Sequence, residues 1–357
     1  MTAVAEARVA TSSEQRESIR SGLVSKNHQR LLGLGAAALL MLLCALLSLA
    51  VGSKMMPLDT AWHALTSFDG SENQLIITEL RVPRTVLAMI VGTGLAVAGC
   101  MIQALTRNPL ADPGILGVNA GAALAVVIGI GFFGVTSVSG YMWFALAGAL
   151  IATVAVYLIG SAGRGTAGPI RMTLAGVALG AALAGFTTGL MLLDPTTFDA
   201  MRSWNAGSVM GRNLQEMGPV IPLLIAGLVL ALLCSRALNA IMLGDDLAAS
   251  LGTHVGRTRV MVVIAVTLLA GSATAIAGPI GFVGLMVPHV VRWFVGPDQR
   301  WICAYAIFVG AILVLLSDVL GRFLVWPGEM PVGIVTAFIG APVLIFLVRR
   351  RKVASAP

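Results

Sequence analysis

Eight stretches of this chain contain no Asp, Glu, Lys or Arg: 31–53, 85–106, 113–163, 172–193, 217–235, 260–291, 301–317 and 330–348. About 20 apolar residues make a helix long enough to cross the ~30 Å hydrocarbon core of a bilayer. Six of the stretches hold one such helix each. The 113–163 stretch is too long for one and carries a turn signal between Gly131 and Gly140, so it predicts a hairpin of two. The 260–291 stretch is interrupted by Gly278-Pro279-Ile280-Gly281, which predicts two segments, the second short and starting near Phe282. The expectation is an all-α polytopic membrane protein with ten transmembrane helices. Its composition agrees, with 57% hydrophobic and 11% charged residues against roughly 25% charged in soluble domains.

Ten spans leave both termini on one side, and the basic residues say which. With the N-terminus inside, 17 of the 23 Lys and Arg lie on the inner side, and Lys54, Arg81, Arg84, Arg202, Arg212 and Arg322 lie outside. The topology is therefore N-in, C-in. The net charge of +7 is spread over the short breaks between apolar runs, which argues against a nucleic-acid surface. Residues 1–29 lack periodicity and read as a disordered cytoplasmic tail ahead of a transmembrane domain over 30–350. Leu31–Val51 is too long for the apolar part of a cleaved signal peptide. Two outer stretches, 54–84 and 194–216, each predict a short surface helix, with Trp204 at the membrane boundary. Gly117/Gly121, Gly176/Gly180 and Gly185/Gly189 are four apart on helix faces and predict close packing within the chain.

Several chemistries are missing from the sequence. No glycine precedes a lysine, so there is no Walker A loop, and there is no H-E-x-x-H. Cys44, Cys100, Cys234 and Cys303 lie in apolar runs without C-x-x-C spacing and read as structural thiols. His28, His63, His254 and His289 are scattered. Asp318 lies near the outer end of the ninth span, four residues before Arg322, which predicts an ion pair on one helix face. The chain shows no energy source of its own.

One polar island interrupts the apolar runs, Asn239–Arg259. In it, Asp245 and Asp246 precede Leu247-Ala-Ala-Ser-Leu251 and Gly252 follows. This predicts a short helix with an acidic N-cap and a C′ glycine. Leu247 and Leu251 share one face and form a small apolar knob on the cytosolic side.

The segments Arg81-Val-Pro-Arg84-Thr85, Gln103–Gly117, Gly278–His289 and Pro331–Pro342 resemble the FecCD-type permease subunits of type II ABC importers, which carry iron–siderophore complexes, heme and vitamin B12. The resemblance covers about 30–350 and implies that family's ten-helix permease fold in the inner cell membrane, with both termini cytoplasmic. It also implies a second FecCD-type permease, either a different chain or another copy of this one, and two ATPase subunits that bind ATP and Mg. A substrate-binding protein docks from above. By the same resemblance this chain is not an enzyme and holds no metal or cofactor. Coupling helices lie at about 239–258, where Gly244, Asp245, Asp246, Leu247, Ala248, Ser250, Leu251 and Gly252 seat in the ATPase. Arg81, Arg84 and Arg322 receive carboxylates of the binding protein, the first two projecting from a stiff rim. The stretches Trp204–Gly211 and Gly328–Pro331 look most like iron–siderophore permeases. Heme or vitamin B12 carried by a homodimer stays open, as does an ion-coupled secondary transporter.

Overall fold

A computed structural model describes residues 22–24, 26–52, 54–162, 169–325 and 328–354. Most of the expected N-terminal tail lies outside these residues. The structure is helical: α1 Asn27–Ala50, α2 Leu58–Thr66, α3 Val82–Thr106, α4 Val118–Phe133, α5 Val138–Ser161, α6 Pro169–Leu193, α7 Pro195–Asn205, α8 Ile221–Ile241, α9 Asp245–Ser250, α10 Val255–Ala277, α11 Val283–Val295, α12 Gln299–Leu324 and α13 Val332–Ala354.

Each apolar segment of the sequence carries a helix. Among the described residues seven helices are long and apolar enough to cross a membrane, and α4, α11 and the 332–346 part of α13 are shorter apolar helices. At 1.5 Å per residue, α11 with its 13 residues reaches about 20 Å, short of a full bilayer core. The two outer stretches hold α2 and α7. A side-chain cap starts α7: Asp194 accepts from the backbone N–H of Thr197 at 2.9 Å and from both threonine hydroxyls at 2.6 Å. These bonds hold the Asp194 carboxyl well below the usual range.

The centre of the fold is α3, buried along most of its length from Leu87 to Leu105 and packed against α12, α10, α11 and α8. Glycines set how closely these helices approach. A Cβ on Gly92 would overlap the carbonyl of Gly310 on α12, and a Cβ on Gly310 would overlap that of Gly92. Gly99 meets the carbonyl of Gly284 on α11 in the same way, and Gly121 and Gly148 join α4 to α5. In lipid the hydrophobic drive between helices is weak, so such backbone-level contact supplies much of the attraction.

Of the glycines singled out by spacing, Gly121 and Gly176 pack inward, Gly176 against the Ile115 carbonyl. A Cβ added at Gly180, Gly185 or Gly189 would meet nothing within 4 Å. The sides of α6 at these positions are open. Trp204 is buried inside the protein at 3% exposure.

The Gly-Pro-Ile-Gly interruption is observed. α10 ends at Ala277, and five residues pass before α11 starts at Val283. Gly278 has φ +73° and Phe282 has φ +68°, a left-handed value uncommon for a bulky side chain. The tail boundary expected at residue 29 shifts, because α1 begins at Asn27. Leu23 and Val24 donate backbone bonds to the carbonyls of Trp293 and Phe294, at 3.1 and 2.9 Å.

Candidate functional site

Candidate sites lie at opposite ends of α3. At the end near residue 107, α9 occupies the polar island. Its N-cap is Gly244, with φ +122°, and not an aspartate. Asp245 and Asp246 fill the first turn, where carboxylates favour the positive end of the helix dipole. Asp245 makes no cap because its carboxylate is committed elsewhere. One oxygen pairs with Arg107, and the other lies 2.5 Å from Nη2 of Arg259. Arg107 is the left-handed residue closing α3 (φ +51°), and its Nε also donates to the Ile241 carbonyl at 2.8 Å. Arg259 is buried near the start of α10. One carboxylate therefore ties α9 to α3 and α10 together.

The C-terminal end of α9 behaves as its glycine predicts. Gly252 takes φ +80°, the Gly252 N–H bonds the Ala249 carbonyl and the Thr253 N–H bonds the Ala248 carbonyl, both at 2.9 Å. This is a Schellman closure. Ala248 is buried under the helix, while Leu247 (48%) and Leu251 (62%) face outward with Leu243 (64%). Leu243 thus joins Leu247 and Leu251 as an exposed apolar side chain of the polar island, one that the sequence reading did not single out.

Beside it, the Gln103–Gly117 motif ties α3 to α11. Gln103 donates to the carbonyls of Gly284 and Leu285 at 3.3 and 3.2 Å and accepts from Arg292 at 2.8 Å. His289 Nε2 lies 2.8 Å from the Pro109 carbonyl. Among the described residues no group of three His, Cys, Asp or Glu is arranged to hold a metal ion.

The other end gathers Arg81, Arg84 and Arg322, but they do not project from a rim. Arg81 (6% exposed) donates to the carbonyls of Leu49, at 2.6 Å, and Lys54. Arg322 (3% exposed) donates to the carbonyls of Ser48 and Val51 at 2.7 and 2.5 Å and pairs with Asp318 at 2.6 Å. The expected Asp318–Arg322 pair is present, and it has a third member. Arg84 binds Asp318 through Nε and Nη2 and reaches Glu329 with Nη1 at 2.5 Å. Carbonyls and carboxylates satisfy most of the N–H groups of these guanidinium side chains, which makes their burial feasible, while the Nε of Arg322 is buried without a partner. Together they line one side of a cavity of about 420 Å³, completed by Glu79, Arg212 and Glu329. Arg212 stands on the loop after α7, where burial pulls its pKa down against the opposing influence of Tyr141 and Glu216. Sequence spacing gave no signal for Arg212 beyond its place on the outer side.

A second, apolar cavity of about 570 Å³ lies where three of the sequence motifs converge. The Ser208 N–H bonds the Ala277 carbonyl at 2.7 Å, and the Gly333 N–H bonds the Gly207 carbonyl at 2.9 Å. Pro279, Gly333 and Phe338 line the cavity, and Phe338 is 71% exposed along α13.

Residues 40–350 match the FecCD transport family. The chain belongs to that family. This member is 49% identical over 314 residues to the ferric enterobactin transport system permease protein FepD of Escherichia coli K12, covering 88% of this chain and 93% of the relative. It is 40% identical over 295 residues to a siderophore transport system permease protein, YfiZ, of Bacillus subtilis 168, covering 82% and 89%. Its fold is similar to a metal-chelate type ABC transporter solved in an inward-facing conformation. That match has a TM-score of 0.74 and 29% identity, covering 89% of this chain and 98% of the other.

Proposed function

We propose that this FecCD family member is the membrane-spanning permease subunit of an ATP-driven importer of ferric siderophores. The observation that carries the substrate class is the 49% identity to a ferric enterobactin permease across nearly the whole of both chains. In this reading ten helices cross the membrane with both termini in the cytoplasm, α4, α11 and α13 completing the set. A second permease covers the open faces of α6 and α13, and the apolar cavity beside Phe338 forms part of the path between the two. The chain itself performs no catalysis and needs no cofactor. ATP and Mg act in separate ATPase subunits.

The residues support a distinct role for each end. Leu247 and Leu251 form a patch that a groove in an ATPase would desolvate, each contributing about 1.5–3 kcal/mol on burial. Gly244 and Gly252 set the two ends of that helix, Ala248 and Ser250 lie within it, and Asp245 fixes it to the body while Asp246 stays exposed. At the other end, Arg84 is the arginine of the docking set that reaches the cavity with a partly exposed partner, Glu329. Arg81 and Arg322 hold the cavity wall in shape beneath the docking substrate-binding protein.

The test is uptake by the assembled importer in vesicles, with ATP inside and its binding protein outside. A ferric catecholate siderophore should be taken up in preference to ferric citrate, heme and cobalamin. Preferred uptake of heme or cobalamin would overturn the siderophore reading, and uptake driven by an ion gradient without ATP would overturn the importer class.

A further inference from the structure

The stretch between α1 and α3 carries an exposed apolar surface. On α2, Leu58, Trp62 and Leu65 recur at the i, i+4, i+7 spacing of one helix stripe, and all three are exposed, at 51%, 66% and 57%. Ala61 and Ala64 form a second stripe, buried with Met56 and Ile77 against Leu49 and Val82. Asp59, His63 and Thr66 make a third, polar and exposed. A surface helix in water has two kinds of face, an apolar one for the core and a polar one for solvent. The third face of α2 is apolar and turned away from the core.

The level of α2 against α1 says what that face meets. The 24 residues of α1 reach about 36 Å, so its last turn stands at the edge of a ~30 Å hydrocarbon core. After α1 the chain folds back. The Met56 N–H bonds the Ala50 carbonyl at 2.9 Å, and Arg81 binds the carbonyls of Leu49 and Lys54 on both sides of the bend. Leu49, in the last turn of α1, packs against the buried stripe of α2. The helix therefore lies beside that turn and not above it. Leu43, Leu46 and Leu47 are exposed along α1 up to the same level, which carries the lipid-facing surface of α1 up to α2. Lys54 is the sole Lys or Arg among residues 54–72, against Asp59, Asp69 and Glu72, so attraction to anionic lipid does not hold this segment.

We propose that α2 is an interfacial helix whose partner is the phospholipid surface of the outer leaflet. It lies in the membrane plane, with Leu58, Trp62 and Leu65 sunk to the boundary of headgroups and acyl chains and Asp59, His63 and Thr66 turned to water. An amphipathic helix settles in that layer by burying its apolar stripe, and an indole ring favours the same depth. The choice of the outer leaflet rests on the topology proposed above, while the depth of α2 does not depend on it.

The experiment places a nitroxide spin label on Asp59→Cys, Trp62→Cys, His63→Cys and Leu65→Cys, one at a time. Each variant is assembled with cysteine-free partner subunits, the second permease and both ATPases, in nanodiscs of phosphatidylcholine. The four native cysteines are buried, so the introduced thiol takes the label, and all four substituted side chains are exposed. Collisions are compared between oxygen, which concentrates in lipid, and a nickel chelate, which stays in water. The oxygen-to-nickel ratio should be several-fold higher at Trp62→Cys and Leu65→Cys than at Asp59→Cys and His63→Cys, and should not change when the binding protein is added. Equal, nickel-dominated collisions at all four sites would place α2 in water and overturn the proposal. It is equally overturned if neither probe reaches Trp62→Cys and Leu65→Cys, or if the binding protein shields them, because a protein then covers the stripe. The side is read separately, by a membrane-impermeant maleimide on Asp59→Cys in intact spheroplasts. Labelling from outside supports the outer leaflet. Labelling only after lysis overturns the outer assignment and the topology with it, and leaves the depth measurement standing.

Discussion

Arg84 on α3 grips Asp318 on α12 from the side, with Nε 2.9 Å from Oδ2 and Nη2 2.9 Å from Oδ1. The same carboxylate accepts from Arg322 one turn further along α12. Asp318 is almost wholly buried and answers two guanidinium groups at once. This acid is common to both arginines, with Glu329 also answering Arg84 and the Ser48 and Val51 carbonyls also answering Arg322.

Asp318→Ala leaves two buried cations with no carboxylate between them, a change that typically costs about 3–5 kcal/mol. The expected result is a much lower melting temperature in detergent and a poor yield. Asp318→Asn, which keeps the shape and loses the charge, should lie between. A melting curve for Asp318→Ala that overlays wild type would show that water answers these arginines equally well.

Leu247→Asp together with Leu251→Asp turns an apolar patch into two charges. The permease should still insert and melt normally, because both leucines already face outward. Co-purification of the ATPase subunits should be lost along with uptake. Retention of the ATPases in the double variant would assign α9 to the solvent.

Asp245→Ala releases Arg107 and Arg259 and frees α9 from the helix ends that hold it. Arg107 and Asp245 are each about one-third exposed, but Arg259 is buried and loses the carboxylate it pairs with, so the loss of stability should exceed that of an exposed pair, at roughly 1–3 kcal/mol. The larger effect should be on coupling, with more ATP hydrolysed per chelate imported. An unchanged ratio of transport to hydrolysis would mean that α9 holds its position without the pair.

Gly99→Val should be severe. A side chain there overlaps the Gly284 carbonyl and forces α3 from α11, and overpacking of this kind costs about 1–3 kcal/mol or more. Gly189→Ala, on the open side of α6, should leave the folded chain as stable as wild type. Measured melting temperatures of the two variants would rank the crossings, and equal values would refute the close-packing argument.

The helices were legible in the sequence because lipid demands long charge-free runs and because Gly278-Pro279 punctuates one of them. Gly252 was legible as a helix stop for an equally local reason. The contacts of Asp245 were not. Arg107 and Arg259 meet it from positions 138 and 14 residues away, and no short-range pattern encodes such a meeting. Arg81, Arg84 and Arg322 were singled out as cations on the side expected to be poor in them, but charge alone did not reveal that Arg81 and Arg322 turn inward to backbone carbonyls. Glycine spacing marked smooth helix faces without telling which faced the chain. Gly121 and Gly176 do, and Gly180, Gly185 and Gly189 do not.

A mechanical consequence follows from α3. Its 25 residues form a strut about 37 Å long, with Arg84 near one end and Arg107 closing the other. Because Gly92 and Gly99 seat it backbone to backbone against α12 and α11, it has little room to slide or roll against either. A tilt imposed at the leucine patch therefore arrives at the arginine cavity as movement of one stiff rod, and a load placed on the cavity returns along the same axis.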